Sequence, residues 1–172
     1  GSTDTFTVVL DAQPTSDVVL TVTSDDTSEA TVNSPLTFTS ANWDTPQTVT
    51  VTGVDDSIID GTITSTITVA VDDANSDDDF DAVADQTVSV DTTDDDVAGF
   101  TVDQLDGSLK VDESGSTDTF TVVLDAQPTS DVVITVTPND TSEISTSGTL
   151  TFTPINWDTP QTVTVTGVDE DI

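Results

Sequence analysis

The sequence predicts an all-β chain built from antiparallel β-sandwich modules of about seven strands each, arranged head to tail. Three observations carry that expectation. Apolar and polar residues alternate with a period of two, as where Phe6, Val8 and Leu10 are interleaved with Thr5, Thr7 and Val9, which is the pattern of a strand with one buried face. The segment Gly1–Val19 recurs unchanged as Gly115–Val133, an offset of 114 residues that also carries Trp43 onto Trp157 and Gly53 onto Gly167. A period of that length suits one Ig-like sandwich and is too long for a helical solenoid unit. No stretch shows a convincing helical period, and turn-forming residues punctuate the alternating runs.

Taking its opening from the second copy and its end from the first, the module reads as seven strands. They are Phe100–Val111, Thr119–Leu124, Val132–Thr137, Leu150–Thr153, Thr162–Thr166, Ile63–Val71 and Gln86–Thr93. Thr fills most outward positions because it is both β-branched and polar. Turns are signalled at Asp11–Pro14, Asn42–Pro46 and Asp60–Gly61. Trp43 and Trp157 fall in the Asn-Trp-Asp-Thr-Pro turn and are read as plugs for one end of the core. The one basic residue, Lys110, is read as an exposed charge on an edge strand. The repeat assigns residues 1–97 to a first module lacking its opening strand and 98–172 to a second that stops before its last two strands. The expected context is a longer tandem array or a polymer of like copies.

Composition narrows the function. Thirty-four acidic residues against one basic residue give a formal charge of −33, so nucleic acid and anionic membrane are excluded as partners on electrostatic grounds. Only four of the acids are Glu; the shorter Asp suits turns and loop sites that wrap a hard cation with oxygen ligands. The absence of Cys, His and Met removes disulfides, thiol and imidazole catalysis and most transition-metal sites. Without an aromatic platform or a cleft-forming insertion, an enzyme is not expected. The apolar runs are too short to insert in a membrane.

In an antiparallel module, alternate connections share a pole. The first, third and fifth connections and the exit from the last strand then converge, and all four are acidic. They carry Glu113; Asp26 and Glu29, or Asp140 and Glu143 in the second copy; Asp55, Asp56 and Asp60, or Asp169, Glu170 and Asp171; and Asp94, Asp95 and Asp96. Like charges so placed are costly unless paired, protonated or metallated, and a single Lys cannot pair them. The expected ligand is Ca²⁺, which takes six to eight oxygens in flexible geometry. Asp73–Asp77 imitates the start of an EF-hand loop but lacks its central Gly, and that reading is rejected.

The order of these motifs resembles the Calx-beta family, in particular the Calx-beta-like tandem repeats of large bacterial surface proteins. The resemblance rests on Val111-Asp-Glu113-Ser-Gly115, Leu150-Thr-Phe152, Val163–Asp169, Ser76–Phe80 and Asp94–Asp96. It implies a seven-stranded sandwich with calcium at one end and at module junctions, with ligands at Glu113, Asp55, Asp56, Asp60 and Asp94–Asp96, matched by Asp169 and Asp171. Glu29 and Glu143 match more loosely, Glu170 stands where the family has Asp, and Ser57 stands where an acid is frequent. The implied role is a calcium-stiffened extender of an extracellular adhesin or surface filament on bacteria, with neighbouring copies of the repeat as partners and any cell-surface or glycan ligand elsewhere in the parent protein. The alternative is a secreted module that binds glycan or ice through Thr-x-Thr runs such as Thr48–Thr52.

Overall fold

Where Thr and Val alternate the chain is extended, and strands make up 44% of it against 4% helix, so the chain is all-β with several antiparallel sheets. The computed structural model describes residues 1–104 and 107–169. Two compact units result, one of Gly1–Asp56 with Asp60–Asp94 and one of Ser57–Ile59 with Asp95–Ile172.

The first unit contains β1 (Thr3–Val8), β2 (Val18–Ser24), β3 (Ala30–Val32), β4 (Leu36–Phe38), β5 (Gln47–Gly53), β6 (Ile63–Val71) and β7 (Gln86–Thr92). They form two antiparallel sheets, ordered β1-β5-β3 and β4-β2-β6-β7. Their inward residues make one core: Ala30, Val49 and Val51 from the first sheet with Val18, Leu20, Val22, Phe38 and Ile67 from the second. Each buried Val, Leu, Ile or Phe among them contributes about 1.5–3 kcal/mol by leaving water.

β3 is the strand the alternation did not announce. It pairs with β5, Ala30 opposite Gly53 and Val32 opposite Val51. The chain then crosses to the other sheet as β4 while keeping its direction. Asn33 and Ser34 hold the crossing to both layers. Asn33 accepts from the Thr50 N–H at 2.5 Å, and the Ser34 hydroxyl accepts from the Val22 N–H at 2.9 Å. β3 is thus an additional strand in what the sequence read as a connection, so with an opening strand the repeat has eight rather than seven. Three residues are too few for a period to register.

The second unit contains β8 (Phe100–Asp103), β9 (Thr117–Leu124), β10 (Val132–Thr135), β11 (Ile144–Thr146), β12 (Thr149–Phe152) and β13 (Gln161–Gly167). Its sheets are β8-β9-β13-β11 and β10-β12, around Val122, Leu124, Leu150, Phe152 and Val163. The 114-residue offset is preserved in detail. Asn42 accepts from the Thr39 N–H at 2.5 Å and Asn156 from Thr153 at 2.6 Å; Gln47 and Gln161 each donate to a strand carbonyl at 2.7 Å. β6 and β7 have no counterpart among the 172 residues. Accordingly Val18 and Leu20 are buried on β2, whereas their equivalents Val132 and Ile134 on β10 are only half-buried.

Two expectations need correction. The opening strand ends at Asp103 instead of Val111, since the chain turns through Gly107 at φ +105°. Lys110 therefore lies exposed in a loop and not on an edge strand, its N–H donating to Asp118 at 2.8 Å. Trp157 packs against the core of its unit, while Trp43 is half-buried and its carbonyl accepts from the Leu10 N–H at 3.2 Å.

Candidate metal centre

The registers decide which loops meet. Thr3 lies opposite Thr52, Ala30 opposite Gly53, Ser24 opposite Ile67, and Ile63 opposite Thr92. The ends of β2, β5 and β7 and the starts of β1, β3 and β6 therefore share one pole of the first unit. The acidic segments Asp25–Glu29, Asp55–Asp56 and Asp60, and Asp94 all emerge there.

Glu29 is the centre of that pole. It sits immediately before β3, and its carbonyl accepts from the Val54 N–H at 2.8 Å and the Thr92 hydroxyl at 3.2 Å, which ties it to the ends of β5 and β7. The residue is only 9% exposed. Carboxylate oxygens of Glu29, Asp56 and Asp60 all lie within 4.8 Å of one another. Asp94 braces the group from behind: its Oδ2 accepts from the Asp60 N–H at 3.0 Å and the Gly61 N–H at 2.9 Å. Gly61 has φ +81°, a conformation that a side chain disfavours. Burial, and then the charges of Asp60, Asp56, Asp26 and Asp94, hold the Glu29 carboxyl above its usual pKa. A cation there relieves both causes at once.

Other residues singled out by sequence have different settings. The Oδ1 atoms of Asp26 and Asp140 accept from both the N–H and the hydroxyl of the Ser two residues on, at 3.0 and 2.5 Å in each case. Asp112 and Ser114 repeat the motif. These hydrogen bonds, led by the Ser hydroxyl, draw all three carboxyls below the usual range, so these acids build their turns. Asp55 is exposed and outside the Glu29 group. Asp95 and Asp96 fall in the second unit. There Glu113 and Glu143 line one pocket of about 570 Å³ with Asp112 and Gly167, and the Glu143 carbonyl accepts from the Val168 N–H at 2.9 Å as Glu29 does from Val54. Asp169 is exposed; Glu170 and Asp171 lie outside the described residues.

One firmly anchored acid stands outside the set of candidate ligands read from the sequence. Asp77 is 5% exposed. Its Oδ2 accepts from the Thr15 N–H, the Thr15 hydroxyl and the Ser16 N–H at 2.7–2.8 Å, and its Oδ1 from the Asp79 N–H at 3.1 Å. Those bonds, Ser16 first, draw its pKa down to about 2. It staples the β1–β2 loop to the β6–β7 loop. In the sequence it stands at the end of the rejected EF-hand-like stretch and inside the Ser76–Phe80 motif, and neither signals that it would tie two loops together.

No protein-family profile matches the chain, and no curated protein matches it.

Proposed function

We propose that this chain is a metal-binding structural module, a β-sandwich whose acidic pole takes a hard divalent cation. More particularly, it is read as a Calx-beta-like, Ig-type repeat in tandem, in which Ca²⁺ stiffens an extracellular extender of a bacterial adhesin or surface filament. The carrying observation is the convergence of Glu29, Asp56 and Asp60 around a nearly buried carboxylate. The donor set fits the ion. It is all oxygen, and at calcium–oxygen distances near 2.4 Å two ligands of one ion stand at most about 4.8 Å apart, the limit within which the three carboxylates fall. Backbone carbonyls and water complete the shell of such ions.

Binding would join two separately encoded loops at the pole, the β2–β3 and β5–β6 connections, and it would contribute to stability by mass action because the unfolded chain does not hold these loops together. Asp94 positions Asp60 through the backbone. Titration calorimetry and thermal melts with calcium against EDTA test the reading. Heat of binding at or below millimolar calcium and a lower melting temperature in EDTA are expected; an unchanged melt refutes it.

A further inference from the structure

The β5–β6 connection contains an Asp-Gly dipeptide, Asp60-Gly61. In such a pair the side-chain carboxyl is readily reached by the next residue's backbone nitrogen, because glycine puts no Cβ in the way. The reaction is an isomerisation in two balanced steps. The Gly61 nitrogen bonds to the Asp60 Cγ, and the amide proton leaves with the carboxylic acid's hydroxyl as one water, giving a cyclic succinimide. Water then adds at the former main-chain carbonyl of Asp60, and the bond from that carbon to the Gly61 nitrogen breaks. The chain now runs through the old side chain as isoaspartate. Nothing is oxidised or reduced, and water is the only co-reactant.

Most of the local structure favours that reaction. Residues 59–62 belong to no strand or helix, and Asp60 and Gly61 are both exposed. A Cβ built at Gly61 would meet nothing within 4 Å, so no packing holds the peptide still from that side. One contact opposes the reaction. Asp94 Oδ2 accepts from the Asp60 N–H at 3.0 Å and from the Gly61 N–H at 2.9 Å. Consecutive N–H groups aim at one oxygen only when the Cα–C torsion between them brings both nitrogens to the same side. With Gly61 at φ +81°, this is the concave backbone arrangement that holds anions. Ring closure needs a different rotation about the same bond, one that sets the Gly61 nitrogen alongside the Asp60 Cβ instead of alongside the Asp60 nitrogen. The two arrangements exclude each other. The Asp94 carboxylate also sets a negative charge against the nitrogen that must give up its proton, which disfavours the attack.

We infer that Asp60-Gly61 is a site of spontaneous isoaspartate formation and that Asp94 is the latch that keeps it shut in the folded chain. Isomerisation lengthens the backbone by one methylene and moves the free carboxylate to the former main-chain carbon, so it would take that carboxylate away from Glu29 and Asp56. This last consequence rests on the metal-centre reading; the latch does not.

The full chain is incubated in EDTA near neutral pH, below its melting temperature, and isoaspartate at position 60 is read by peptide mapping with electron-transfer fragmentation. Folded wild type, wild type in denaturing guanidinium and folded Asp94→Ala are compared. Folded wild type should isomerise at position 60 roughly tenfold or more slowly than the denatured chain, since two hydrogen bonds to a charged acceptor must break first. Asp94→Ala, its fold checked by circular dichroism, should recover most of that difference. Equal rates for folded and denatured wild type overturn the inference whatever the variant does, and so does a folded Asp94→Ala no faster than wild type. A further sample, folded wild type in calcium, separates the two readings. Additional slowing is expected if the ion holds the Asp60 carboxylate; where Asp94 acts as stated and calcium adds nothing, the latch stands and the assignment of Asp60 to the metal centre fails.

Discussion

Glu29→Gln gives the sharpest test of the metal centre because it moves two quantities in opposite directions. In the metal-free chain the substitution removes a carboxylate that burial and four neighbouring Asp disfavour, so the melting temperature should rise. With calcium it removes one of three converging ligands, so the calcium-dependent shift should shrink. At a calcium concentration one hundred times Kd, the wild type gains about 2.7 kcal/mol. A unit of about ninety residues gains about 4–8 °C per kcal/mol, so the expected wild-type shift is roughly 10–20 °C. Calcium binding weakened tenfold cuts that shift roughly in half. Scanning calorimetry in EDTA and in calcium gives both numbers from one sample pair. Glu143→Gln is the comparison, since among the described residues the only group of three converging carboxylates contains Glu29 and not Glu143. If Glu29→Gln lowers the metal-free melt, or leaves the calcium shift intact, the assignment of Glu29 to the site is wrong.

Four further outcomes are expected. As pH falls from neutral towards 4.5, the metal-free chain should become more stable, because folded Glu29 holds its proton more tightly than the unfolded chain does; calcium should suppress that gain. Below this the sign reverses, since Asp77 stabilises the fold above pH 3.8 and loses its contribution as pH falls towards about 2, so Asp77→Asn should flatten the acid limb of a pH–melting curve. Ser65→Ala should leave stability unchanged or raise it in denaturant titrations, since the Ser65 hydroxyl is fully buried without a hydrogen-bond partner. Gly167→Ala should destabilise the second unit, because a Cβ there would stand 2.0 Å from the Asp112 carbonyl oxygen, while Gly53→Ala, whose Cβ would meet nothing closer than 3.6 Å, should be nearly neutral in the same melts.

The alternation of Thr with Val and Ile exposed the long strands because each has one face in a core and one in water. It failed at β3 and β11, three residues each, where pairing with β5 and β13 and not periodicity selects the extended form. It also overran at Lys110, since nothing in Leu109-Lys-Val111 announces that Gly107 has already turned the chain. The acidic pole was legible as a convergence of loops, because antiparallel counting survives one strand switching sheets without reversing direction. Which acids meet was not legible. Asp26 and Glu29 stand three residues apart, yet one spends an oxygen on Ser28 while the other turns towards Asp56 and Asp60. That division depends on backbone geometry that spacing alone does not contain.

Lys110, exposed in its loop between β8 and β9, has a consequence for the durability of the molecule. Trypsin-like proteases cut after Lys or Arg, and the chain offers them a single bond, Lys110–Val111. Cleavage there would leave β8 and β9 on separate fragments, joined by their ladder, by the Thr101–Asp125 and Lys110–Asp118 hydrogen bonds and by the Gln127 N–H to the Ser57 carbonyl, with no covalent link. Resistance to that one cut therefore reports how tightly the opening strand is held, and a residue that looked incidental becomes the molecule's own gauge of edge pairing.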